Sequence, residues 1–244
     1  PSPDAEAVLI DADDADDDAP VFVRLFWLGV GSLVAFAVAS AALLLHAACT
    51  FANPGGFQNH IVLMPLAFVL LAPCGAVLWR LGAVLDVSHG ATKAAHGATM
   101  SSAALLASLG VAYMWDAHNQ TAAAAAASGW SAHFQSAHSW IGFLALLLFV
   151  GNALGAIGIF ALPIASPALR AAFRPVHIFV GGLAIVLTLM GTLMGIVSFA
   201  QRGNNASAKD LEYKLAALSV SGELAALALI FYATPALQKH RRKR

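Results

Sequence analysis

The sequence predicts an all-α membrane protein with six transmembrane helices, and three observations carry that reading. Of its 244 residues, 59 % are hydrophobic and only 11 % are charged, whereas a soluble domain carries about 25 % charged residues. No Asp, Glu, Lys or Arg occurs between Leu25 and Trp79, enough chain for more than two crossings of about 20 residues each. Six long apolar segments then follow one another, near Leu25–Ala48, His60–Trp79, Ala94–Trp115, Ala137–Ala161, Val176–Ala200 and Leu215–Thr234. Hydrocarbon offers no water to satisfy backbone amides, so each segment must be helical, and each is long enough to cross about 30 Å of lipid.

Ahead of the first segment stands an acidic run, with Asp11, Asp13, Asp14, Asp16, Asp17 and Asp18 close together. Such a run repels itself and has little to bury, so residues 1–20 are read as a disordered, solvated tail. It has no basic n-region of a signal peptide, and its acidity argues against a transit peptide. The first span ends beside His46 and Cys49, and His46 is read as an interfacial residue. In the second span Pro65 and Pro73 should kink the helix. Cys74 lies too deep in that span to meet Cys49, so no disulfide is expected.

The third span is followed by an alanine run, Ala122–Ala127, read as a spacer or a short helix. The Gly151–Gly155 and Gly191–Gly195 spacings in the fourth and fifth spans allow close approach by a neighbour or a cofactor. The sixth span carries Glu223 near its middle, where an acidic residue is costly and a function is the usual starting hypothesis. A protonated state, a pairing with Ser219 or Ser221, and a contact with another subunit all fit. Residues 236–244 form a basic tail suited to anionic headgroups, leaving residues 21–235 as one membrane domain.

Basic residues set the orientation. One side receives Arg24, Arg80, Lys93, Arg170, Arg174, Lys239, Arg241, Arg242, Lys243 and Arg244, and the other only Arg202, Lys209 and Lys214. The positive-inside rule therefore expects both termini in the cytoplasm. The glycosylation triplets Asn119-Gln120-Thr121 and Asn205-Ala206-Ser207 fall on the opposite side, in agreement.

Orientation decides which histidines can meet. His60 and His138 stand near the non-cytoplasmic entrances of the second and fourth spans, and His96 and His177 near the cytoplasmic entrances of the third and fifth. His138 and His177 each have a glycine four residues later, Gly142 and Gly181, on the same helical face. A bare glycine beside an imidazole leaves room for a large flat group, which suggests axial ligation of haem. Two histidines at each depth would serve two six-coordinate haems with no open position for dioxygen. Their irons would lie roughly 20 Å apart along the membrane normal, within reach of a one-electron hop. His133, five residues before His138, could be an alternative outer ligand. His89 is read as a residue of the cytoplasmic loop that could help Lys93 bind an anion.

Taken jointly, Ser136-x-His138-Ser139-Trp140 with Gly142, Pro175-x-His177 with Gly181, Lys93-x-x-His96, and His118-Asn119 resemble the eukaryotic cytochrome b561 family over about residues 25–234. The resemblance implies a four-helix core, spans 2–5, holding two haems b. It pairs the second-span ligand with the fourth and the third with the fifth. It also implies transfer of electrons from cytosolic ascorbate to monodehydroascorbate or a ferric chelate on the far side. By position, Lys93 would hold the cytosolic anion, with Arg174 and Arg170 nearby, while His118 and Asn119 would line the acceptor site. Arg80 and Arg170 are read chiefly as boundary anchors. The sequence departs from the family at Ile61 (usually proline), Met100 (often a second histidine) and Ser198-Phe199 (usually an acidic-basic pair). These departures bear on ascorbate more than on haem.

Two other classes compete. A haem-bearing or structural subunit of a larger membrane complex, without turnover of its own, is suggested by the charged tails and Glu223. A small-solute transporter would show inverted repeats and a pair of discontinuous helices, and no such pair is visible. A homodimer or larger complex is left open, as is the choice among plasma, endomembrane and organelle membranes. No nucleic-acid site is expected.

Overall fold

The computed structural model describes residues 19–49, 55–124, 133–162, 164–202 and 208–243. The acidic tail up to residue 18, the triplet Asn205-Ala206-Ser207 and residues 125–127 of the alanine run lie outside the described residues. Helix α1 is Ala19–Cys49, α2 spans Gly56–Leu85 and α3 is His89–Ala124. Helix α4 spans Ala137–Ala161, α5 is Pro167–Arg202 and α6 is Ala208–Lys243. Each contains a segment long and apolar enough to cross a membrane, six in all, and every regular element among the described residues is helical. The chain is a multi-pass membrane protein.

The fourth span keeps its expected limits, but most of the others are longer. Helices α3 and α5 each run for 36 residues, well beyond the apolar stretch that marks them in the sequence. Serines set the starts of α3, α4 and α5. Ser88 Oγ accepts from Ala91 N at 3.3 Å, Ser136 Oγ from Ser139 N at 3.2 Å, and Ser166 Oγ from Leu169 N at 3.2 Å. Each satisfies an amide that the first helical turn leaves open, and Pro167 follows Ser166 at the position where its missing N–H costs nothing. His177 therefore lies well inside α5 rather than at its opening. His89 is the first residue of α3 rather than part of a loop.

The prolines of α2 act through the hydrogen-bond ladder. The α-helix Gly56–Pro65 widens into π-helix over Leu66–Leu71 before resuming at Ala72. A proline nitrogen donates no hydrogen bond, and a π-helical turn is a common way to absorb the missing rung. The end of α4 widens likewise over Ile157–Ala161.

Sequence-adjacent helices pack as antiparallel pairs, α2 with α3 and α4 with α5, while α1 packs against α6. Between lipid-facing helices the association comes from close packing rather than from a hydrophobic drive. On the α1–α6 seam a Cβ added at Gly222 would lie 2.6 Å from the Phe36 ring, and one at Gly29 would lie 2.8 Å from Ile230. At mid-depth, buried Phe68 of α2 meets Phe149 of α4 edge to face, with centroids 5.3 Å apart.

Glu223 is 0 % exposed, and neither carboxyl oxygen has a hydrogen-bond partner. Of the three alternatives left open for it, the pairing with Ser219 or Ser221 does not form, because those hydroxyls donate to the Leu215 and Ala217 carbonyls at 2.9 Å. The hydroxyl that faces the carboxyl is that of Ser40 on α1, also buried, although it stands outside hydrogen-bond geometry.

Two stability outcomes follow from this packing. Glu223→Met removes a buried polar group without emptying its volume, so unfolding of the detergent-solubilised protein should shift upward, by about 1–3 kcal/mol; a lowered midpoint would mean that the carboxyl is held by a partner. Ser166→Ala should cost ~1 kcal/mol by leaving the start of α5 uncapped, seen as a lower thermal midpoint.

Candidate functional site

The four histidines expected to act in pairs do meet in pairs. His60 of α2 faces His138 of α4 with ring centroids 6.2 Å apart and planes at 85°. His96 of α3 faces His177 of α5 with centroids 6.3 Å apart and planes at 90°. In an up-and-down bundle these sites lie at opposite ends, with the Phe68–Phe149 contact between them.

Each ring is fixed by its Nδ1. His60 Nδ1 bonds Gly110 O at 3.0 Å, His96 Nδ1 bonds Gly75 O at 2.7 Å, and His138 Nδ1 bonds Gly191 O at 2.7 Å. His177 Nδ1 bonds the Asn152 side-chain Oδ1 at 3.0 Å. A carbonyl oxygen can only accept, so every Nδ1 carries a proton, and in the neutral ring Nε2 is the nitrogen with the lone pair. The outer partner of a metal-bound imidazole does the same thing, orienting the ring and raising its donor strength.

Glycine lets the backbone come this close. A Cβ added at Gly110 would stand 2.9 Å from Met64 Sδ, and one at Gly75 would stand 3.2 Å from the Met100 thioether. At Gly195 it would reach 2.9 Å from the His138 ring, so Gly195 makes the space in which that imidazole turns. Around a Cβ on Gly142 nothing lies within 4 Å, in keeping with room for a large group beside His138. Gly181 differs: its added Cβ would meet Asn152 Nδ2 at 3.0 Å, so this glycine accommodates a neighbouring side chain.

The geometry can be tested against haem ligation. An imidazole nitrogen binds a transition metal at about 2 Å and lies ~1.1 Å from its ring centroid, so two imidazoles across one iron stand roughly 6.2 Å apart. Both pairs match that separation. Simple edge-to-face contact covers about 4.5–7 Å and would also allow it, but packing alone gives no reason for all four rings to present the same bare nitrogen. The donor set, two imidazoles per site, fits haem b.

Aromatic rings border the His96–His177 site. Trp79 lies edge-on to His96 at 5.8 Å and to His89 at 5.3 Å, while Phe160 and Phe173 flank His177 at 5.5 and 6.5 Å. Lys93 donates from Nζ to the Phe160 carbonyl, tying the start of α3 to the end of α4. An ammonium has three protons, so two remain beyond that contact. Arg170 Nη2 donates to Leu162 O at 3.4 Å, Arg174 is exposed, and the Arg80 guanidinium lies 4.8 Å over the Phe231 ring.

At the other end, His118 and Asn119 sit on the last turns of α3 beside His133. The His133 ring stacks on Trp115 with centroids 3.7 Å apart and lies 5.5 Å from His118. Its Nε2 donates to Asn119 Oδ1 at 3.0 Å. His133 thus holds its proton on the nitrogen that the four paired histidines leave bare, and its place is in this aromatic cluster rather than as an alternative ligand. A crevice of about 240 Å³ adjoins His138 and is lined in part by Leu193, Met194 and Ser198. Asn152, Trp79 and His133's stacking partner Trp115 also belong to these sites. Only Asn152 carried a readable signal, a lone amide inside an apolar span.

The model of eukaryotic cytochrome b561 matches residues 59–201, which contain all four paired histidines. The plasma membrane ascorbate-dependent reductase CYBRD1 of Rattus norvegicus is 31 % identical over 140 residues, 57 % of this chain and 46 % of that protein. The transmembrane ascorbate-dependent reductase CYB561 of Sus scrofa is 29 % identical over 57 % of this chain and 52 % of its own length. The lysosomal membrane ascorbate-dependent ferrireductase CYB561A3 of Bos taurus is 29 % identical over 57 % and 50 %, respectively. The alignments thus span about half the length of these relatives. With its matched region covering the helices that bring the histidines together, the chain belongs to the eukaryotic cytochrome b561 family.

Proposed function

We propose that this protein is a transmembrane reductase that passes single electrons from ascorbate through two bis-histidine haems b to an acceptor on the other side of the membrane. The observation that carries this reading is the pair of crossed imidazole contacts, 6.2 and 6.3 Å between centroids, with all four Nδ1 atoms committed to oxygen acceptors. Haem b, when bound, would supply one-electron redox chemistry.

The chain's own residues hold and orient. His60 and His138 would hold one haem and His96 and His177 the other, with each Nδ1–H fixing the plane of its ring. Gly142 leaves open space beside the first of these sites. Lys93, held at the Phe160 carbonyl, keeps two protons for an enolate-like anion near the second, and Arg174 adds exposed positive charge at that end. The names of the relatives, ascorbate-dependent reductases and a ferrireductase, support ascorbate as donor and monodehydroascorbate or a ferric chelate as acceptor. His118 and Asn119, joined by His133, would form the acceptor face. Charge distribution supports both termini in the cytoplasm and one membrane domain over residues 21–235.

Purified protein should bind two haems b per chain and show a b-type α band on reduction by dithionite and by ascorbate; a dithionite-reduced sample without that band overturns the reading. His96→Ala and His138→Ala should each bind one haem and leave the other spectrally intact. Lys93→Ala should slow reduction by ascorbate at least tenfold while leaving dithionite reduction and haem content unchanged. An unchanged rate removes Lys93 from the donor site. Stoichiometric partners in the purified material, together with haems that ascorbate does not reduce, would identify a subunit of a larger complex instead.

A further inference from the structure

We propose that Asn152 is a positioning residue that sets the reduction potential at the His96–His177 site by controlling the electron density of the His177 imidazole. The inference rests on the bis-histidine reading given above. Three of the four paired histidines donate Nδ1–H to the carbonyl of a glycine, at Gly110, Gly75 and Gly191. His177 alone donates to a side chain, Asn152 Oδ1 at 3.0 Å. It is the one acceptor of the four that a change of side chain can remove.

The amide is bound at both ends to the same residue. Its Nδ2 donates to the backbone carbonyl of His177 at 3.3 Å while its Oδ1 takes the ring proton. These contacts fix each other, because a carbonyl oxygen accepts only from the NH₂ side. Oδ1 must then face the ring, and Nδ1 must carry hydrogen. A half-buried amide in an apolar span is costly unless it is bonded, and here both of its functions are used on one histidine. Gly181, one turn beyond His177, leaves the space: a Cβ there would stand 3.0 Å from Asn152 Nδ2. Asn152 and Gly181 together form a clamp on the ring.

The electronic consequence follows from the hydrogen bond. An acceptor on Nδ1–H pushes electron density toward Nε2 and makes the imidazole a stronger donor, which favours the oxidised form of the metal it holds. Removing the acceptor weakens that donation and leaves Nδ1–H without its partner, so the reduced form gains. The effect belongs to one site, because His60 and His138 have their own backbone acceptors on other helices.

The test is a redox titration of purified holoprotein, following the α band of both haems, with Asn152→Leu and Gly181→Ala beside the unaltered protein and His177→Ala. In Asn152→Leu, one of the two transitions should move to higher potential by at least tenfold in its one-electron equilibrium constant, a shift of 59 mV, and the other should stay. Gly181→Ala, which presses on the amide without deleting it, should move the same transition in the same direction by less. The low-spin ferric electron paramagnetic resonance signal of that haem should shift with it. Two unmoved transitions, or two that move equally, overturn the proposal. If Asn152→Leu retains only one haem, Gly181→Ala decides: a raised transition supports the clamp and an unshifted titration overturns it. His177→Ala separates the two levels, because a variant that keeps both haems refutes the ligand assignment itself and not the role of Asn152.

Discussion

Four hydrogen bonds from imidazole Nδ1–H to oxygen organise the membrane bundle. Each crosses between helices, and they do so reciprocally. His60 of α2 donates to α3 while His96 of α3 donates back to α2. His138 of α4 donates to α5 while His177 of α5 donates back to α4. Each antiparallel pair is therefore stitched twice, once toward each end, by the residues that face across to the other pair. An imidazole N–H inside a bundle must find an acceptor or bear its desolvation. Here that requirement orients the ring, joins two helices and leaves one nitrogen bare toward a third.

The glycines explain how helix backbones can serve as acceptors. A helical carbonyl already receives a bond from its own helix, so a second donor must approach closely from the side. Gly75, Gly110 and Gly191 have no Cβ to hold it off, and the thioethers of Met100 and Met64 pack where side chains at the first two would otherwise stand. Met100 thus has a packing role at a position where the family often carries another histidine. Asn152 solves the same problem differently, by bringing an oxygen of its own to the ring.

The ends of the bundle divide along the same lines. Near His96 and His177 the cationic side chains Lys93 and Arg170 are drawn onto the carbonyls that close α4, where the last turn leaves acceptors unsatisfied. Near His60 and His138 the end of the bundle is rich in rings, with His133 stacked on Trp115 beside His118, and Phe134 against the same Trp115. One end thus presents positive charge, the other flat rings and imidazoles.

Periodicity was not needed to read the spans, because lipid demands long apolar helices and the scarcity of charge shows where they run. Charge placement and span order then left only one way to pair the histidines, and the paired rings agree with it. The sequence by itself thus determined the class, the number of crossings and which histidines meet, since these depend on composition and on chain direction. Only the tertiary structure decided that α3 and α5 extend past their apolar stretches, because serine caps act locally and carry little hydropathy signal. It also decided that His133 belongs with Asn119 and Trp115, and that Gly181 makes room for Asn152. Those outcomes depend on which atoms of distant helices come within about 3 Å, a distance that hydrogen-bond geometry enforces and that spacing along one chain does not encode.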